Sequence, residues 1–71
     1  MDRASAEWRL LHGFIAAIYE AGGNLDEDDR LGDCIRALLA PLERLGHKFD
    51  WDYGDLREIR ARVKAGERLA R

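Results

Sequence analysis

Apolar positions along the chain divide it into three amphipathic stretches. From about Ala4 to Ala21, Trp8, Leu11, Ile15 and Ile18 recur at spacings of 3, 4 and 3. That rhythm predicts a helix, and Leu10, Phe14 and Ala17 widen its apolar stripe enough to want neighbours on two sides. Asp2 or Ser5 is a suitable N-cap, and Gly22-Gly23 a suitable C-terminal stop. A second helix is expected from near Asp26 to Gly46, with Leu31, Ile35, Leu38, Leu42 and Leu45 spaced 4, 3, 4 and 3. Pro41 lies inside it and costs a helix about 3 kcal/mol. The chain either kinks there or stops at Ala40 and restarts; the unbroken phase favours the kink. A third helix should follow Asp52, its N-cap, with Asp55 completing the cap. Leu56, Ile59, Val63 and Ala70 make its stripe, with Gly66 in phase as a weak point toward a fraying last turn. Alternating strand patterns, internal repeats and linkers are absent.

These elements predict one all-α domain over residues 1–71, a small bundle of three main helices. Its expected core is Trp8, Leu11, Ile15, Ile18, Leu31, Ile35, Leu38, Leu42, Leu45, Leu56, Ile59 and Val63. Phe49, Trp51 and Tyr53 are expected to pack the last connection onto the bundle. Ten of the apolar residues are alanines, which bury little area. So small a core leaves a narrow stability margin and invites extra burial against a partner. The lone Cys34 permits no intrachain disulfide, and one cysteine with two histidines does not supply a structural zinc site. No cofactor or metal is expected.

Charge is sorted along the chain. Glu20 to Asp33 carries a formal −5, with Asp26, Glu27, Asp28, Asp29 and Asp33 as its cluster, and Arg57 to the end carries +4. On a continuous third helix, Arg57, Arg60, Lys64, Arg68 and Arg71 would share an arc of roughly 80°. Two electrically distinct faces result, each a candidate partner-binding surface, with Trp51 and Tyr53 as candidate aromatic anchors. The acidic cluster equally suits the positive end of a helix dipole. It does not suit calcium: counted from Asp26, the position of the closing glutamate falls on Ala37, and counted from Asp50 on Ala61. Net charge is −2, which argues against unaided nucleic-acid binding.

Catalysis finds little support. Cys34 beside Ile35 is expected on the apolar side, where a thiol is inert, and Gly22-Gly23 lacks the lysine and hydroxyl of a phosphate loop. His12 and His47 lack an evident nucleophile. The expected function is a non-catalytic protein-binding module. It would regulate or inhibit a larger, nucleic-acid-handling partner through its acidic surface. Composition alone supplies an analogy with small acidic helical inhibitors that phages and mobile elements direct at host nucleic-acid machinery, CRISPR effectors included. A nucleic-acid-binding regulator using Arg57, Arg60 and Lys64 is one alternative. A self-associating scaffold, such as a homodimer joined through its apolar stripes, is another. With no apolar run near 20 residues and a start, Met1-Asp2-Arg3, unlike a leader, a cytoplasmic location without a membrane span is expected.

Overall fold

The computed structural model describes residues 1–69 and contains three α-helices, with no strand among those residues: α1 (Ala6–Glu20), α2 (Asp28–Arg44) and α3 (Tyr53–Lys64). Ser5 caps α1, its hydroxyl accepting from the Trp8 amide at 3.1 Å. Asp52 and Asp55 form the expected reciprocal box at α3, with bonds of 2.8 and 3.1 Å. The start of α2 has no side-chain cap at Glu27, but Asp28 and Asp29 occupy its first turn, where carboxylates favour the exposed amides.

All three helices end in the same way. Gly22, Gly46 and Gly66 have φ of 89°, 96° and 95°. The amide following each glycine returns to the carbonyl of Ile18, Leu42 or Arg62, at 2.8, 3.2 and 2.9 Å. This is the Schellman stop, for which glycine is suited because it enters the left-handed region without a Cβ penalty. Gly66 therefore ends α3, where the expectation was a weak point within a longer helix. Arg68 lies past the helix, off the basic face assigned to it. Ala70 and Arg71 lie outside the described residues.

Helix α2 runs unbroken through Pro41, so the split alternative is not adopted. The proline ring sits on the exposed side and leaves the Ala37 carbonyl without its helical donor. Pro41→Ala should therefore raise stability, by at most about 3 kcal/mol, as read from urea denaturation midpoints.

Helix α3 is the hub, packed closely on α1 and also on α2, while α1 and α2 touch each other less. Trp8, Leu11, Ile15, Leu31, Ile35, Leu56, Ile59 and Val63 are buried as expected. Ile18 and Leu42 are half-buried at its edge. Two expectations fail: Leu38 is 36% exposed and Leu45 77% exposed. Their place is taken by Leu39, fully buried, while Leu25 and Ala16 join from outside the expected set. A straight helix turns about 100° per residue, so Leu31, Ile35, Leu39 and Leu42 share one face, and a strict heptad drifts off it. Gly32 is buried where α2 meets the start of α3. A Cβ there would overlap the Tyr53 phenol, with ring carbon Cζ only 2.8 Å away.

Candidate functional site

The acidic and basic segments meet. Asp28 receives Arg57 Nη1 at 2.9 Å and Arg60 Nη1 at 2.9 Å, and Asp26 receives Lys64 Nζ at 2.6 Å. Arg60 Nη1 also donates to the backbone carbonyls of Leu25 (3.0 Å) and Asp26 (3.2 Å). From α1, the Tyr19 hydroxyl donates to Asp26 Oδ1 at 2.8 Å and accepts from the Leu25 amide at 3.3 Å. The α1–α2 connection is thus clasped onto α3, with Leu25 pressed into the core beneath. The sequence leaves open whether the acidic and basic segments face apart or pair; in the fold Asp26 and Asp28 neutralise Arg57, Arg60 and Lys64 within one molecule. Charges meet because the loop before α2 and the C-terminal half of α3 lie at the same end of the bundle. Arg68, beyond the helix, reaches Glu20 at 2.6 Å.

The clasp sets the acidity of its members. The Lys64 ammonium, and next the Tyr19 hydroxyl, hold Asp26 below the usual carboxylate range. Arg57, then Arg60, do the same for Asp28. At the opposite edge, Glu58 is lowered by its bond to Arg3, whose Nη2 lies 2.8 Å away.

What remains of the acidic cluster is Glu27, Asp29 and Asp33, all exposed. Asp33 has only a 3.3 Å pairing with Arg36. Arg36 itself is stacked over the half-buried rings of Trp51 and Tyr53, 5.4 and 5.8 Å from their centroids. Its Nη2 lies 3.2 Å from the Tyr53 hydroxyl. The two rings meet edge to face at 5.9 Å. Trp51 and Tyr53, the sequence-predicted anchors, therefore form one platform with an arginine. No spacing in the sequence marked Arg36 for that role, because the pairing spans two elements.

A second surface follows from the core correction. Leu38 on α2 and Leu45 at its C-cap lie on either side of the half-buried Leu42. Next to them Leu10, Leu42, His47 and Phe49 line a shallow cleft of about 180 Å³ between the ends of α1 and α2. Single exposed leucines are ordinary, but a contiguous apolar edge marks contact surfaces.

The histidines and the thiol do not assemble. Cys34 is a half-buried free thiol, and among the described residues neither histidine is hydrogen-bonded to it. His12 is buried, and its Nε2 has no hydrogen-bond partner; Glu67 Oε1 is 3.8 Å away. Burial pushes the His12 pKa down, opposed by Glu67 and reinforced by Arg68 and Arg62. Its burial was legible only as a place beside the stripe, one turn from Trp8. A pH dependence follows. A histidine with a lowered folded pKa contributes stability that is complete above its unfolded value, about 6.5, and lost as pH falls through the folded value. Asp26, Asp28 and Glu58 act likewise, but below their unfolded values near 4. Thermal midpoints should thus fall in two steps on acidification. His12→Leu should remove the first step and leave the second.

Among the described residues, no helix is long and apolar enough to cross a membrane. Nor does any group of three or more histidine, cysteine, aspartate or glutamate side chains there converge as a metal site. Compared with known proteins, the chain matches no family, and no curated protein or solved structure is significantly similar to it.

Proposed function

We propose that the protein is a small non-catalytic binding module that docks on a larger, nucleic-acid-handling protein and regulates or inhibits it. The observation that carries this reading is the exposed leucine edge of α2, Leu45 at 77% and Leu38 at 36%. A chain of 71 residues has few large apolar side chains to spare, and placing two outside the core favours their use against another surface. The acidic contribution comes from Glu27, Asp29 and Asp33, whose carboxylates suit the basic surfaces that nucleic-acid-handling proteins present. Asp26 and Asp28 are instead engaged by Lys64, Arg57 and Arg60 within the chain, so reversing their charge would disturb those pairs as well as any docking. The cations required by a phosphate-binding role, Arg57, Arg60 and Lys64, are already engaged by those two carboxylates.

The test is affinity capture with nuclease-treated and untreated extracts, using the natural chain, Leu38→Asp/Leu45→Asp, and Glu27→Lys/Asp29→Lys/Asp33→Lys. Circular dichroism should show native helix content in both variants. One captured protein, retained after nuclease and lost from both variants, is the expected result. A captured set that vanishes with nuclease, or one indifferent to both variants, would overturn the reading.

A further inference from the structure

The back of α1, away from the leucine edge, carries a groove of about 520 Å³ whose floor includes His12, Gly13, Ala16 and Ala17, with Arg9 and Glu20 at its two ends. Arg68 and Leu69 form the far wall, and Leu69 is 36% exposed. Two features of this groove, Gly13 and Arg9, lack an explanation within one chain. Gly13 sits in mid-helix, where glycine is unfavourable, yet a Cβ there would meet nothing within 4 Å. The fold itself does not require glycine at that position. His12, whose side chain is 2% exposed, also lines the groove, but its Nε2 lies 3.8 Å from Glu67 Oε1 of the same chain. Arg9, at one end, has no ion-pair partner among the described residues, while Glu20 stands at the other end.

We propose that this groove receives α1 of a second copy, crossing antiparallel about a two-fold axis between Gly13 and Ala16. In a symmetric antiparallel pair, positions whose numbers share one sum face each other. The sum that places Gly13 opposite Ala16 also places His12 opposite Ala17 and Arg9 opposite Glu20. The small residues thereby coincide at the crossing, where they let two helix backbones approach closely. The opposite charges coincide at both ends. The second copy's Glu20 then lies against Arg9, one turn from His12, and Leu69 closes over the incoming helix. Glu20 keeps its bond to Arg68, since a carboxylate accepts from two arginines. Two short helices bury an area at the low end for specific interfaces, about 1,000 Å² in total, so the dimer should dissociate on dilution.

Sedimentation equilibrium over a wide concentration range tests the register. The natural chain should dimerise. Arg9→Glu sets a new carboxylate against the Glu20 carboxylate at both ends, and Glu20→Arg sets a new guanidinium against Arg9. Each variant alone should associate at least about tenfold more weakly, with unchanged helix content. An equimolar mixture of the two should recover the dimer, because both ends are then complementary. Gly13→Leu should be monomeric, whereas Leu38→Asp/Leu45→Asp should dimerise normally, which separates this interface from the docking edge. A natural chain that stays monomeric, two variants that still self-associate, or a mixture that fails to pair would each overturn the proposal.

Discussion

Leu39→Ala is expected to remove a large part of the stability of this protein, by about 2–5 kcal/mol, while Leu38→Ala costs less than about 1 kcal/mol. The neighbours differ in one respect: Leu39 is fully buried and Leu38 is 36% exposed. Truncating Leu39 loses the transfer free energy of its methyl groups and leaves a cavity that a close-packed interior fills only in part. Stability of roughly 0.05–0.15 kcal/mol per residue allows a chain this short little reserve. The Leu39 variant should therefore be partly unfolded at physiological temperature. Chemical denaturation of both variants, followed by circular dichroism, decides. Equal losses at the two positions would mean that α2 is rotated away from this orientation.

Arg60→Ala is the second large effect, about 2 kcal/mol, and it acts through backbone rather than charge. Arg60 is 16% exposed, and its Nη1 serves the Leu25 and Asp26 carbonyls as well as Asp28. Removing it strands the carbonyl of Leu25, a residue only 3% exposed, and a buried acceptor without a donor bears its full desolvation penalty. The ion pair with Asp28 lies nearer the surface and adds little. Arg57→Ala provides the control. Arg57 shares the same carboxylate but is 52% exposed and makes no bond to the loop backbone, so its loss should scarcely move the denaturation midpoint. If the two variants lose stability equally, the clasp works by charge alone.

These two predictions rest on features of different legibility. The three helices, the Ser5 and Asp52 caps and the glycine stops after α1 and α2 follow from local chemistry, since a cap or a left-handed glycine is satisfied within a few residues. Most of the core follows from periodicity for the same reason. Periodicity favoured Leu38 over Leu39, the wrong way round, because both lie within reach of the apolar stripe. The choice depends on how α2 is rotated against α3. Gly66 misled because a glycine in phase reads alike inside a helix and at its end, and the difference lies in the amide of Glu67 turning back to Arg62.

Charge shows the same division. The sequence by itself determined that Asp26 to Asp33 is acidic and that Arg57 to Arg68 is basic, together with an all-α architecture and the caps that start two of its helices. Only the tertiary structure decided that Asp26 and Asp28 neutralise Arg57, Arg60 and Lys64, leaving Glu27, Asp29, Asp33 and the leucine edge of α2 as surface. The physical reason is range. Periodicity and capping act over a few residues, whereas opposite charges some thirty positions apart meet or miss according to how the helices pack.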